Sequence, residues 1–108
     1  MVKRIVSVEY LEKENGLIIL LSDELLVFTY KRSLSSLTFF LKQRVKLWDE
    51  EYLRKELSVK IDEENQVYSS GLCLFDYTVV CISNRVNLMM TIEVDVRKLN
   101  CERVYIQR

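Results

Sequence analysis

Two long runs rich in apolar residues, 72–82 and 86–97, constrain the fold more than any other feature of this sequence. In the first run both alternating faces are largely apolar, which predicts a central strand covered on both sides. In the second run an apolar face that includes Leu88, Met90 and Ile92 alternates with polar residues, which predicts one wet face. Because only three residues separate the runs, we expect them to pair as one long antiparallel hairpin.

The first thirty residues predict a three-stranded meander. Apolar and polar side chains alternate over residues 3–11, which is the period of a half-buried strand. Asn15 and Gly16 tolerate the positive φ that a tight type I′ turn requires. The apolar runs 17–21 and 25–30 then predict two further strands, separated by a short polar turn.

Residues 33–48 predict an amphipathic helix that begins at Ser33, a favourable N-cap residue. Its apolar residues recur at spacings of three and four and would face the core; they are Leu34, Leu37, Leu41, Val45 and Trp48. Because the stripe loses its register after Trp48, we infer a break near Asp49. Asp49 can then cap a second, short helix over residues 50–57.

The remaining segments predict smaller elements. Residues 58–69 predict a small hairpin around residues 63–65, Gly71 marks a bend or bulge, and residues 103–107 predict a short edge strand. The predicted fold class is therefore α+β in a single domain, residues 1–108. Its antiparallel sheet is built from a meander, a helical segment and a long hairpin, with one or two helices packed on one face.

Length and charge favour an intracellular domain without a strong electrostatic preference. The chain has 108 residues, the size of one ordinary domain. Sixteen basic residues balance sixteen acidic ones, so net charge attracts neither nucleic acid nor an anionic membrane. No apolar run approaches the roughly 20 residues that span a bilayer, so we expect a cytoplasmic protein without a membrane partner.

The chain lacks the residues of most catalytic and metal sites. It has no histidine, which removes the commonest general base and transition-metal ligand. Its two glycines are far apart and form no phosphate-binding loop. We therefore expect no cofactor and no metal, and favour a non-enzymatic protein. Three cysteines, Cys73, Cys81 and Cys101, are expected to be buried thiols, although a bridge from Cys101 to one of the others remains open.

Carboxylates offer one alternative site. Asp76 interrupts the apolar run 72–82, and a buried carboxylate there could act as a general base or contact a ligand. It could equally mark a bulge, pair with an arginine or face water at a sheet end. Glu93 and Asp95 stand about 7 Å apart on one strand face, which suits a carboxylate dyad or, more simply, a solvated face.

Charge is segregated along the chain. Residues 31–48 contain five cations and no acid; these cations are Lys31, Arg32, Lys42, Arg44 and Lys46. Residues 49–65 contain seven acids and three cations. The basic segment could contact nucleic-acid phosphates while Phe39 stacks on a base, although the acidic neighbour would repel a long polyanion.

Outward apolar residues indicate a protein interface. On the predicted helix Phe39 projects away from the core stripe, and Phe40 and Leu47 lie on its flank. Met89 is the large apolar exception on the wet face of the last long strand. These residues predict a homodimer or a protein partner, and the segregated charges would suit a two-fold arrangement in which the basic segment of one copy meets the acidic segment of the other. The alternative is that these residues are covered within one monomer.

The sequence carries no family motif with functional residues. Its first meander looks like those that begin many unrelated domains, and its low proline content and lack of histidine are similar to those of small orphan proteins of viruses and mobile elements. The preferred hypothesis is a small non-enzymatic interaction or regulatory module that forms a homodimer. The alternatives are a nucleic-acid-binding protein that uses residues 31–46, and a ligand-binding or hydrolytic site around Asp76.

Overall fold

Two four-stranded antiparallel sheets make up most of the protein, and each is a meander in which successive strands pair. The computed structural model describes residues 3–76, 78–85, 87–95 and 99–107. The first sheet contains β1 (Ile5–Leu11), β2 (Gly16–Leu21), β3 (Glu24–Arg32) and β4 (Leu37–Lys46). After the helix α1 (Glu50–Leu57), the second contains β5 (Ser69–Phe75), β6 (Thr78–Ser83), β7 (Met89–Asp95) and β8 (Asn100–Gln107). The prediction of antiparallel sheet with helix, broadly α+β, is thus confirmed.

The core lies between the two sheets. Every second side chain of the central strands points inward, and these residues join one buried cluster that includes Ile18, Leu20, Leu25, Val79, Cys81, Met90 and Ile92. Leu53 of α1 and residues flanking the helix, Leu47, Trp48, Val59, Ile61 and Val67, belong to the same cluster. The helix and its connections therefore complete the core that the sheets begin.

The first turn differs from the predicted type I′ hairpin. A short 3-10 helix, Glu12–Glu14, follows β1, and Asn15 alone adopts positive φ, at 51°. Gly16 already belongs to β2 and pairs with Leu11. Gly16 instead lies close to the side chain of Leu99, since a Cβ there would be 3.0 Å from the Cδ1 atom of Leu99.

The helix predicted over residues 33–48 is wrong. Residues Leu37–Lys46 form β4, which pairs with β3 from Glu24↔Lys46 to Arg32↔Leu37. Ser33 donates its backbone N–H to the carbonyl of Ser36 at 2.9 Å, in a turn rather than a helix cap. The apolar spacing of three and four is compatible with a helix, but a run so rich in apolar residues also matches the two-residue period of a strand. The aromatic and β-branched residues in this run favour the strand.

The single strand predicted over residues 72–82 is also wrong. The run folds back on itself as β5 and β6, which pair from Ser69↔Ser83 to Phe75↔Thr78. Asp76 lies in the turn with φ of 49°, a conformation that aspartate tolerates better than most residues. The run carries neither glycine nor proline at the turn, so its composition does not mark the reversal.

The second long run forms a strand over part of its predicted length, because β7 begins at Met89 and Asn87 and Leu88 precede it. β6 pairs with β7 from Thr78↔Glu93 to Ile82↔Met89, and Leu88, Met90 and Ile92 are buried. Residues 96–98, which include the predicted end of this strand, lie outside the described residues. β8 lies at a sheet edge as expected, but it begins three residues earlier than predicted.

The connections follow the prediction in part. The short helix at 50–57 is confirmed, and Asp49 caps it by accepting hydrogen bonds from the N–H groups of Glu51 and Tyr52. The small hairpin predicted over residues 58–69 is wrong, because β5 begins only at Ser69 and residues 58–68 contain a turn but no strand. The bulge predicted at Gly71 is present as a register shift between Ser69 and Gly71. No helix in the described part of the chain is long and apolar enough to cross a membrane.

Candidate functional site

The outward face of the first sheet is apolar across all four strands. Side chains on this face alternate with the buried ones, and register aligns them in rows such as Tyr10, Leu17, Phe28 and Leu41. We call this surface the outer apolar face; its members are Val8, Tyr10, Leu17, Ile19, Leu26, Phe28, Tyr30, Phe39 and Leu41. The first sheet therefore presents apolar side chains on both of its faces, and only one of those faces belongs to the core.

Aromatic rings form one end of the outer apolar face. The ring centroids of Tyr10 and Tyr30 lie 6.0 Å apart in an edge-to-face arrangement, and those of Tyr30 and Phe39 are also 6.0 Å apart. These separations are typical of favourable aromatic pairs. Tyr10 nevertheless remains 57% exposed and Phe39 43% exposed. The pairs thus order the rings without covering them.

Charged residues occur at the opposite end of the same face. Glu24 lies between two cations, with its Oε1 atom 2.8 Å from Lys3 Nζ and 2.8 Å from Arg44 Nη1. The hydrogen bond from Lys3 lowers the pKa of Glu24, with further contributions from the charge of Lys3 and from Arg44. The same hydrogen bond raises the pKa of Lys3. These ion pairs form a polar rim and leave the centre of the face uncharged.

The outward face of the second sheet is more mixed. Met89 is 40% exposed there, but Thr78, Thr91 and Glu93 occupy the middle of the face on β6 and β7. Its apolar residues are therefore interrupted by polar ones. A continuous apolar surface belongs to the first sheet alone among the two described sheets.

Beyond the sheet, β3 and β4 continue as a two-stranded projection. The pairing of β2 with β3 ends at Gly16↔Thr29, while β3 and β4 stay paired as far as Arg32↔Leu37. We call residues 31–42 the arm, because every one of them is exposed. Residues 31–39 project beyond β2, whereas Phe40, Leu41 and Lys42 lie beside Thr29 and Phe28 within the four-stranded part of the sheet. About five residues separate Thr29 from the tip, so the arm reaches roughly 16 Å past the end of β2. This projection accords with an overall extent of 51 × 26 × 19 Å.

The basic residues predicted to form a helix surface lie instead along β3 and β4. Arg44 is paired with Glu24, and the Nζ atom of Lys46 lies 3.9 Å from Asp49 Oδ2. Lys31, Arg32 and Lys42 belong to the arm, and no carboxylate among the described residues lies within 4.0 Å of their charged groups. Lys42 is the extra residue of a bulge, because Gln43 pairs with Val27 and Leu41 with Phe28.

The predicted interface residues do not come together. Leu47 is 1% exposed and belongs to the core, so its predicted position on an outer flank is wrong. Phe39 and Phe40 are neighbours on a strand and therefore point to opposite sides of the arm. Met89 lies on the other sheet. Only Phe39 is part of the outer apolar face.

Sequence reasoning missed most of the outer apolar face. The continuous apolar run 17–21 predicted a strand covered on both sides, whereas the structure covers only the side of Ile18 and Leu20. The signal in the sequence that could have identified this face is the two-residue alternation in β1 and β3. On both strands the side chains that point away from the core are apolar. β2 and β3 carry apolar residues on both sides, and β1 adds Val8 and Tyr10 to the outward side, so this sheet requires more cover than one short helix supplies.

The carboxylates singled out from the sequence form no enclosed site. Asp76 is exposed in the turn between β5 and β6, so the premise of a buried carboxylate in a central strand is wrong. Glu93 is partly exposed on β7 opposite Thr78, and the side chain of Asp95 lies outside the described residues. An open cleft of about 600 Å³ lies elsewhere, between the end of β4, α1 and the connection that precedes β5, and is lined by residues such as Asp23, Trp48 and Arg54. In the described ranges no three cysteine or carboxylate side chains are grouped to hold a metal ion.

The three cysteines are free thiols in different environments. Burial raises the pKa of Cys81 to about 12 and that of Cys101 to about 11. Cys73 is exposed on β5, so the expectation that all three are buried is wrong for this residue. The raised pKa values of the other two are typical of structural rather than nucleophilic thiols.

The outer apolar face and the arm are therefore the two surfaces whose chemistry the core does not explain. The first is broad, flat and uncharged at its centre, and the second is narrow, projecting and basic. No family model matches the sequence, and no curated protein or solved structure was found to match it.

Proposed function

We propose that this protein is a non-enzymatic interaction module that forms a homodimer through its outer apolar face. The observation that supports the proposal is the row Tyr10, Leu17, Phe28 and Leu41, which crosses all four strands without a polar residue. Scattered apolar residues are normal on a protein surface, but contiguous patches rimmed by polar residues mark interaction sites. The ion pairs of Glu24 provide such a rim.

The size of the outer apolar face suits a stable dimer. Four strands about 4.8 Å apart, with an average length near 26 Å, give a face of roughly 500 Å² in plan. Projecting side chains increase the accessible area toward the roughly 800 Å² that each partner contributes to a standard interface. A small ligand would cover only part of such a flat surface, since small-molecule sites are concave.

The distribution of charge favours a second copy of the chain as the partner. In a two-fold interface each surface meets itself, so an unpaired charge at the centre would face its own like charge or be buried without a partner. The centre of the outer apolar face holds no charged side chain. At its rim, Glu24 already contacts both Lys3 and Arg44, so two copies can approach without opposing unpaired charges.

The oligomeric state in solution tests this proposal. We expect a dimer at micromolar concentration in sedimentation velocity and light scattering. Val8→Asp and Phe39→Asp, one on β1 and one on β4, are each expected to give a monomer, because both place a charge in the interface. Circular dichroism and a cooperative denaturation curve establish that each variant is folded.

A matched substitution on the other sheet is the control. Met89→Asp introduces the same charge at a residue of similar exposure and is expected to leave the dimer intact. A wild-type protein that remains monomeric would contradict the proposal. So would a dimer that Met89→Asp dissociates while Val8→Asp and Phe39→Asp leave it unchanged, because that result would place the interface on the second sheet.

A further inference from the structure

We infer that the arm is a binding site for single-stranded nucleic acid, with phosphate contacts from its cations and a base stacked on Phe40. Lys31, Thr38 and Phe40 lie on the side of the arm opposite the outer apolar face, whereas Arg32 lies near the tip on the side of Phe39. Variants of Lys31 and Phe40 therefore test this site separately from the dimer proposed above. The ligand class of the site is identified by charge, hydroxyl donors and an exposed aromatic ring on one projecting element.

The charge of the arm matches a polyanion. Lys31, Arg32 and Lys42 have no carboxylate partner among the described residues, and residues 31–48 contain no acid. Cations held without a partner on an exposed element repel one another and are therefore available for an external anion. The acidic residues that make the whole chain neutral lie outside the arm, so the neutral net charge does not oppose this local attraction.

The tip of the arm adds hydrogen-bond donors of the kind that contact phosphate. Three serines, Ser33, Ser35 and Ser36, surround the turn, and the Oγ atoms of Ser33 and Ser36 lie 2.6 Å apart. Hydroxyl groups and cationic side chains supply most contacts to nucleic-acid backbones. A membrane-inserting tip would instead need several apolar residues, whereas Leu34 is the single apolar residue within this turn.

Strand register gathers a cation, a hydroxyl and an aromatic ring on one side of the arm. Lys31 pairs with Thr38, and Phe40 pairs with Thr29, so Lys31, Thr38 and Phe40 share the side that continues the inward face of the sheet. Phe40 is 47% exposed on this side. A base can stack on such a ring while the adjacent phosphates contact Lys31 and Thr38.

The exposed ring favours a single strand over a duplex. Base faces are stacked within a duplex, and a stacking residue reaches them only where bases are unpaired. The arm is also short, so it would contact only a few nucleotides. We therefore expect modest affinity, carried by about three phosphate contacts and one stacked base.

The test is fluorescence anisotropy with a labelled single-stranded oligonucleotide and wild-type protein. With about three phosphate contacts, the logarithm of the binding constant should fall with that of salt concentration with a slope near −2. Lys31→Glu/Lys42→Glu is expected to lower the affinity at least tenfold. Phe40→Ala is expected to lower it about 5- to 100-fold with little change in the salt slope, since stacking releases no counterions.

Two controls separate this site from general electrostatics and from the dimer. Lys55→Glu/Lys60→Glu makes the same charge change on exposed residues away from the arm and is expected to retain binding. Val8→Asp, the variant designed to dissociate the dimer, is also expected to retain it, so failure of one proposal does not imply failure of the other. The inference is overturned by absent oligonucleotide binding, by equal loss in the Lys55/Lys60 variant, by tighter binding to duplex, or by binding to anionic lipid vesicles in place of the oligonucleotide.

Discussion

Gln43 of β4 hydrogen-bonds to both backbone groups of Cys101 in β8 and so connects the two sheets. Its Oε1 atom accepts the Cys101 N–H at 2.7 Å, and its Nε2 atom donates to the Cys101 carbonyl at 3.4 Å. The register of β7 and β8 shifts at this point, from Glu93↔Arg103 to Val94↔Cys101. The side-chain amide of Gln43 in the first sheet therefore satisfies backbone hydrogen-bonding groups of the second sheet at the point where the pairing of β7 and β8 is irregular.

Replacing Gln43 by leucine should destabilise the fold. The shape is similar, but the Cys101 N–H and carbonyl lose their side-chain partner in a partly buried position. Leaving such a backbone group unsatisfied costs about 1–3 kcal/mol. Urea denaturation should show this loss for Gln43→Leu and a smaller one for Gln66→Leu, whose hydrogen bond to the Asp62 carbonyl is exposed. Equal stability of Gln43→Leu and wild type would show that water replaces Gln43 at Cys101.

The two glycines should respond oppositely to alanine. A Cβ at Gly16 would lie 3.0 and 3.1 Å from the two Cδ atoms of Leu99 and 3.3 Å from the Cβ of Leu11. Leu99 is buried, so it cannot move into solvent, and overpacking of this kind costs typically 1–3 kcal/mol. A Cβ at Gly71 meets nothing within 4 Å and its φ is not positive. Gly71→Ala should therefore be neutral or stabilise the protein by about 0.4–1 kcal/mol, because alanine lowers the conformational entropy of the unfolded chain.

The double variant Gly16→Ala/Leu99→Ala identifies the cause. If the loss arises from the contact with Leu99, removing its two Cδ atoms should make the combined loss smaller than the sum of the losses of Gly16→Ala and Leu99→Ala alone. Additive losses in the denaturation free energies would instead attribute the effect of Gly16→Ala to Leu11 or to the backbone.

The sequence predicts the strands best where one face is buried and the chain reversals are marked. β1 follows from alternation, and β2 and β3 follow from apolar runs bounded by polar residues, although Val8 and Tyr10 of β1 lie on the exposed side and not on a buried one. Asp49 identifies the start of α1 through its capping chemistry. The prediction is wrong where an apolar run satisfies more than one period. Residues 37–46 match a helical spacing but are held as a strand by pairing with β3, and local pattern contains no information about that non-local pairing.

The same ambiguity limits prediction of the candidate surfaces. Phe39 can be recognised from the sequence as an outward apolar residue, and it is exposed. A helical wheel places Leu47 outside the core as well and so cannot distinguish it from Phe39. Leu47 is buried because the chain turns from β4 toward α1, which a helical wheel does not represent. The basic character of residues 31–48 is a property of composition and holds for strand or helix, but the placement of Lys31 beside Thr38 and Phe40 requires the register of the pair β3 and β4.

When the folded protein is treated with a thiol reagent, one of its three thiols should react rapidly. Cys73 is exposed, whereas burial raises the pKa of Cys81 to about 12 and that of Cys101 to about 11 and so suppresses their thiolates. Because the thiolate is the reactive form, a disulfide reagent at neutral pH should modify Cys73 first. Cys73→Ser should remove the fast phase, and denaturant should release the other two thiols. A fast phase that persists in Cys73→Ser would show that β6 or β8 opens readily.

Protonation of Glu24 should remove its contribution to stability in acid. The hydrogen bond from Lys3 lowers the pKa of Glu24 below its ordinary value, so the folded state favours the ionised carboxylate. Such a group stabilises the fold above its unfolded pKa, near 4.3, and the stabilisation is lost as the pH falls through the lower folded value. Glu24→Gln should therefore be less stable than wild type at neutral pH, and the difference in urea midpoints should diminish and then disappear as the pH falls below the ordinary range of a glutamate pKa and Glu24 becomes protonated. Glu56→Gln on the exposed side of α1 is the control and should show a smaller difference from wild type at neutral pH. If the effect of Glu24→Gln is unchanged in acid, then the packing of Glu24, and not its charge, stabilises the rim of the first sheet.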